Sequence, residues 1–176
     1  MSEIIDNVRE LANVGHMGQY RRGPGDIPYI THPEAVVDTL KRWGMSKESV
    51  LAAAWAHDLL EDTDIDEEDI LEAGGSKGEE ILSYVKDLTF EPNKWRSKAD
   101  WLEHIARDGN TPVLYIKAAD RYCNTCDFCR ANKWEKSRRY LLEAWPIVEI
   151  IGNWNRLAKE DFTDLVMKIK EHTNEQ

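Results

Sequence analysis

Val50-Leu51-Ala52-Ala53-Ala54-Trp55-Ala56-His57-Asp58-Leu59-Leu60-Glu61-Asp62-Thr63 starts as an apolar, strongly helix-forming run and then presents four ionisable side chains. A run this rich in Ala and Leu reads as a buried helix. At about 100° per residue, a continuous helix stacks His57 over Glu61 and Asp58 over Asp62, one turn apart. An imidazole and several carboxylates beside buried apolar surface are costly unless a cation or a substrate compensates them. The stretch therefore predicts an α-helical fold and a functional site together.

Helical signals continue outward on both sides. Thr31-His32-Pro33-Glu34 has the form of a capping box, opening a helix through Val36, Val37, Leu40 and Trp43 that stops near Gly44. Ser46 is placed to cap the helix carrying the opening stretch. Asp64 or Asp66 is placed to cap the next, through Ile70 and Leu71 to Gly74-Gly75. Glu79 to Leu88 reads as a helix with Ile81, Leu82 and Val85 inward, followed by an irregular stretch around Pro92. Ser97 would cap a helix through Trp101, Leu102 and Ile105, ending near Gly109-Asn110.

Thr111-Pro112 suits an N-cap followed by proline at the first helical position, with the helix running from Val113 to about Cys129. Trp134 to Ile151 predicts one long helix bent at Pro146, and Phe162 to Ile169 a last amphipathic one. With no repeat or low-complexity linker, the expectation is an all-α fold in a single domain over residues 1–176.

Composition narrows the function classes. A chain of 176 residues suits one domain with a substantial core. No stretch approaches the ~20 apolar residues of a membrane span, and the N-terminus lacks the basic-then-apolar pattern of a secretory signal. Three cysteines cannot all pair within the chain, which points to a reducing cytoplasm. A net charge of −10 argues against a general nucleic-acid surface, since that binding is dominated by phosphate neutralisation. A small anionic substrate remains open, because local positive charge or a metal ion suffices for it.

The candidates for chemistry are His32, His57, Asp58, Glu61, Asp62, Asp120 and Asn124, the last two sharing a helix face four residues apart. Two histidines and two aspartates can ligate a divalent cation such as Mn2+. Such an ion lowers the pKa of bound water and shields phosphate charge, leaving Glu61 and Asp62 to orient or deprotonate that water. Each residue also has a plain structural reading. His32 starts a helix, Asp120 precedes Arg121 as in an ordinary ion pair, Asn124 is a solvated polar residue, and Glu61-Asp62-Thr63-Asp64 is the acidic end of a helix. The case rests on their joint occurrence in order.

That order carries a resemblance. Tyr29-Ile30-Thr31-His32-Pro33, Ala56-His57-Asp58-Leu59-Leu60-Glu61-Asp62-Thr63 and Ile116-Lys117-Ala118-Ala119-Asp120-Arg121-Tyr122-Cys123-Asn124 resemble the three signature segments of the hydrolase domain of RelA/SpoT-type alarmone enzymes. Gly15-His16-Met17-Gly18-Gln19-Tyr20-Arg21 resembles the family's start. The resemblance implies a compact helical bundle of the HD superfamily and a stand-alone hydrolase removing the 3′-pyrophosphate from (p)ppGpp, usually with Mn2+. It implies metal ligation by His32, His57, Asp58 and Asp120, and water activation and proton transfer by Glu61 and Asp62. Asn124 would contact the nucleotide, and Arg21 would pack over the guanine base, as a planar guanidinium can. Lys117 and Arg121 are candidates for structural or phosphate contacts.

The departure from the family pattern is Arg21-Arg22-Gly23-Pro24-Gly25-Asp26-Ile27-Pro28-Tyr29, about two residues longer than the family's usual run, which makes Arg21 and Arg22 interchangeable candidates. Lys94, Arg96 and Lys98 are read as phosphate contacts or, with slight preference, as a solvated surface. Cys123, Cys126 and Cys129 lie at helical spacing and read as core packing, since an iron–sulfur cluster normally takes four thiolates. Trp134, Trp145 and Trp154 could build a homodimer surface. The alternatives kept open are an HD-type phosphatase on a related nucleotide, such as the 2′-phosphate of NADPH, and a non-catalytic alarmone sensor.

Overall fold

Apolar side chains recurring at helical spacing account for nearly every element. A computed structural model describes residues 2–21 and 25–173, and its regular structure there is helical, with one isolated antiparallel bridge between Tyr20 and Pro28. Among the described residues no helix is long and apolar enough to cross a membrane. The chain divides into two compact units, Met1–Pro92 and Asn93–Gln176.

The first unit contains α1 (Glu3–Gly15), α2 (Thr31–Arg42), α3 (Glu48–Ala56), α4 (Leu59–Asp62), α5 (Glu67–Gly74), a 3-10 turn (Gly75–Lys77) and α6 (Gly78–Leu88). Its centre is α3, where every residue from Ser49 to Ala56 is buried. A helix apolar all round must be enclosed, and α1, α2, α5 and α6 all pack on it. The second unit contains α7 (Lys98–Asp108), α8 (Thr111–Arg130), α9 (Trp134–Glu143), α10 (Trp145–Trp154) and α11 (Arg156–Thr173). Here α8 and α10 pack on each other, and Val113, Leu114, Ile116, Ile147 and Ile151 are core residues.

Element types follow the sequence, while several ends do not. Asp66 caps α5 with a full capping box to Asp69, and Ser97 caps α7. The expected box at Thr31 is absent. Ile30 occupies the cap position, and the Thr31 hydroxyl donates to the Pro28 carbonyl at 2.8 Å, which ties the helix to the preceding turn. Lys47, not Ser46, precedes α3, and Asn110, not Thr111, caps α8, accepting from the Val113 N–H at 3.0 Å. The long helix expected from Trp134 to Ile151 is two helices broken at Ala144, because Pro146 starts a new helix rather than bending an old one. The helix α1 has no counterpart among the sequence expectations, although Ile5, Val8 and Ala12 form its buried stripe.

The decisive stretch differs most. It is not one helix, since α3 ends at Ala56, a turn holds His57 and Asp58, and α4 follows as a single turn. The His57 ring nitrogen Nδ1 lies 2.8 Å from the Ala54 carbonyl oxygen. That carbonyl is the one a continuing helix would offer to the Asp58 N–H, so the imidazole competes with helix propagation where the ionisable residues begin.

Candidate active site

His32 comes from the first turn of α2, while His57 and Asp58 come from the break after α3. One ligand atom from each lies within 4.8 Å of the others. The Nε2 atoms of His32 and His57 stand 3.6 and 3.2 Å from the same Asp58 Oδ2. Both histidines are buried, whereas Asp58 is half-buried. The Ala54 carbonyl can only accept, so His57 donates from Nδ1, which leaves Nε2, on the Asp58 side, as the nitrogen able to ligate a cation. A backbone carbonyl fixing the far nitrogen of a ligating imidazole is the usual outer support of a metal site. Two imidazole nitrogens and a carboxylate oxygen converging in this way fit a divalent cation.

The second pair of carboxylates separates. Tyr29, a turn before His32, directs its hydroxyl to Asp58 Oδ2 at 2.7 Å and to Asp62 Oδ2 at 3.2 Å. The stacking of Asp58 and Asp62 therefore survives the helix break, with the Asp62 N–H donating to the Asp58 carbonyl at 2.9 Å. Burial pushes the Asp62 carboxyl above its ordinary value, and the charges of Asp58 and Glu61 add to this; the Tyr29 hydrogen bond and His16 oppose it. Glu61 accepts from the Phe90 N–H at 3.3 Å and is exposed.

The remaining predicted residues take varied places. The Arg21 guanidinium lies 5.3 Å from the Tyr29 ring centroid, and its backbone N–H donates to the Ile27 carbonyl, closing the stem of the long loop. Arg22 lies outside the described residues. Asp120, Lys117, Asn124 and Arg121 share α8 in the second unit. Lys117 donates to Asp120 Oδ2 at 3.1 Å and its ammonium lies 4.5 Å from the Trp101 ring centroid, while Asn124 donates to Asp120 Oδ1. Arg121 is buried, 3.9 Å from the Tyr140 ring centroid and 3.6 Å from a Glu143 oxygen. Its carboxylate partner is thus Glu143 rather than the neighbouring aspartate. Arg96 pairs with Asp100 at the surface, in keeping with the solvated reading of that stretch. Cys123 and Cys129 are buried, and burial raises the Cys126 thiol.

Three participants had no assigned role in the sequence reading: Tyr29, His16 and Gln19. Tyr29 entered the sequence reading only as the first residue of the segment that contains His32. His16 and Gln19 reach the site through tertiary contact alone, Gln19 donating to the Asp62 carbonyl at 2.8 Å across 43 residues.

A protein from Xenopus tropicalis named guanosine-3′,5′-bis(diphosphate) 3′-pyrophosphohydrolase MESH1 is 32% identical over 175 residues, covering 95% of this chain and 97% of that one. The chain belongs to this pyrophosphohydrolase family. A bacterial member, from Aquifex aeolicus, is 30% identical over 171 residues, and a Streptomyces coelicolor protein named GTP pyrophosphokinase is 32% identical over 153. Against these long relatives the chain spans about a quarter or less of their length, 24% and 18%. A solved structure described as a metazoan ortholog of SpoT that hydrolyzes ppGpp superposes with a TM-score of 0.82 over 96% of both chains at 24% identity, so the two share a fold. No family model matches.

Proposed function

We propose that this chain is a metal-dependent (p)ppGpp 3′-pyrophosphohydrolase, releasing pyrophosphate and GDP or GTP. The supporting observation is the convergence of His32, His57 and Asp58 on one point, with Asp62 tied to Asp58 through Tyr29, in a member of this family. The cation assigned is Mn2+, which mixed imidazole and carboxylate ligation suits. Asp120 is assigned as a fourth ligand on the resemblance of its segment. When bound, the ion supplies an acidified water and shields phosphate charge.

The chain's own residues do the rest. Asp62, whose carboxyl titrates above the usual range, takes a proton from the attacking water, and Glu61 orients that water. Attack at the 3′-linked phosphorus breaks its bond to the ribose 3′ oxygen, which leaves as a hydroxyl after accepting a proton. Arg21 or Arg22 holds the base and Asn124 the nucleotide, with Lys117 and Arg121 buttressing α8. We place the reaction in the cytoplasm, in keeping with an odd number of cysteines, three.

The test is incubation of Mn2+-loaded protein with ppGpp, pppGpp and NADPH, with product identification. Pyrophosphate plus GDP from ppGpp is the expected result. Orthophosphate from NADPH alone would move the reading to a 2′-phosphatase, and tight ppGpp binding without cleavage would move it to a sensor.

A further inference from the structure

His16 sits at the end of α1, 3% exposed, and belongs to neither the ligand set nor the carboxylate pair. Its Nδ1 lies 3.0 Å from Gln19 Oε1. The orientation of the Gln19 amide follows from its other end, because Nε2 meets the Asp62 carbonyl at 2.8 Å, and a carbonyl only accepts. Oε1 is therefore the acceptor, and His16 donates from Nδ1. On its other side the His16 ring packs on Tyr29, with centroids 4.5 Å apart. Tyr29 in turn holds the carboxylates of Asp58 and Asp62. Two chains of contact thus leave one imidazole and end on Asp62, one on its backbone through Gln19 and one on its side chain through Tyr29.

Local packing is built for this approach. A Cβ on Gly15 would stand 2.8 Å from Leu59 Cδ2 and 3.0 Å from Ile65 Cγ1, so the absence of a side chain there lets the end of α1 lie directly against α4. The His16 Nε2 is buried with no hydrogen-bond partner among the described residues. An apolar residue would fill the same space without an orphaned nitrogen, and buried polar groups left in that state call for a role.

We propose that His16 is a positioning residue for the water-activating carboxylate, setting Asp62 through Gln19 and Tyr29. The inference rests on the hydrolase reading, and its test separates the two. Three variants divide the contacts: His16→Asn keeps a donor at the Nδ1 position and loses the ring stack, His16→Phe keeps the stack and loses the donor, and His16→Ala loses both. The expected result for His16→Ala is a fall in kcat of about 10- to 100-fold with KM and Mn2+ affinity within about threefold, with partial recovery in both Asn and Phe. Gln19→Ala should cost less when added to His16→Phe than it costs in the wild-type background, because the two substitutions weaken the same path to Asp62.

Two readouts need no turnover. Imidazole 15N NMR of the full chain should show a proton on His16 Nδ1, and amide exchange at Asp62 and Thr63 should speed up in His16→Ala by more than it does at the α3 amides, which report the global loss of stability. An unprotonated Nδ1, unchanged exchange, or full additivity of the Phe and Gln19 substitutions would overturn the proposal. Wild-type protein that fails to cleave ppGpp beside an active control overturns the hydrolase reading, and the NMR and exchange results still decide whether His16 sets Asp62.

Discussion

The Tyr29 hydroxyl stands 2.7 Å from Asp58 and 3.2 Å from Asp62, so one phenol serves both the acid proposed to ligate the metal and the acid proposed to activate water. It has a single proton, and the shorter contact marks Asp58 as the main recipient. Its bond to Asp62 favours the ionised carboxylate. Tyr29→Phe keeps the ring and removes the donor. The expected outcome is a fall in kcat of about 10- to 100-fold, with the acid limb of the kcat–pH profile moving to higher pH. A limb that stays in place would exclude the role in setting Asp62.

Metal binding should depend on each member of the triad. By mass action, a ligand at 100 times its Kd adds about 2.7 kcal/mol to the folded state. Wild-type protein should therefore melt at a higher temperature with Mn2+ than after chelation. His32→Ala, His57→Ala and Asp58→Ala should lose most of that increment and at least ~100-fold of hydrolysis. Calorimetric titration with Mn2+ provides the direct check; undiminished affinity in His57→Ala would remove it from the ligand set.

Asp62 should trade stability for function in the metal-free protein. Its carboxyl is raised above the ordinary value of 3.8, mainly by burial and then by Asp58 and Glu61, so the folded state holds the proton more tightly than the unfolded chain. That favourable contribution is full below pH 3.8 and is lost as pH rises through the raised value. At neutral pH, Asp62→Asn should be at least as stable as wild type in urea melts, with the advantage vanishing toward the acid end. Hydrolysis should meanwhile fall by about 10²- to 10⁴-fold. A metal-free variant distinctly less stable at pH 7 would contradict this sign.

Two helical glycines should respond oppositely to alanine. At Gly78, a Cβ would lie 2.4 Å from the Leu71 carbonyl oxygen, a backbone clash that no side-chain rotation relieves. At Gly152 the nearest atom is 3.7 Å away, an ordinary contact. Gly78→Ala should cost about 1–3 kcal/mol, whereas Gly152→Ala should stabilise by about 0.4–1 kcal/mol. Thermal melts of the two variants read both signs.

Much of this was legible in the sequence because helical periodicity and metal-grade residue types are local properties. The apolar run before His57 predicted a buried helix, and α3 is the enclosed centre of its unit. His32, His57 and Asp58 were nominated by type and order, and their donor atoms converge. Caps were less legible. Thr31, Ser46 and Thr111 each have the right chemistry for an N-cap, but the cap fell to a neighbour in each case. Which of two adjacent residues starts a helix depends on how the preceding loop is held, as the Thr31 bond to Pro28 illustrates.

From sequence alone came the all-α class, the candidate ligands His32, His57 and Asp58 and the family resemblance, since these need only spacing and residue identity. Tertiary structure alone decided that the run from Val50 to Thr63 breaks at His57 and Asp58, and that Asp62 stays beside Asp58 while Glu61 turns to Phe90. It also recruited Tyr29 and Gln19, whose bonds to Asp58 and Asp62 span 29 and 43 residues, and His16, which reaches them through the Tyr29 ring and the Gln19 amide. The physical reason is that a helix sets direction only within its own few turns. Where an imidazole can take a backbone carbonyl and a distant phenol can bridge two acids, the final geometry belongs to whichever long-range partner arrives.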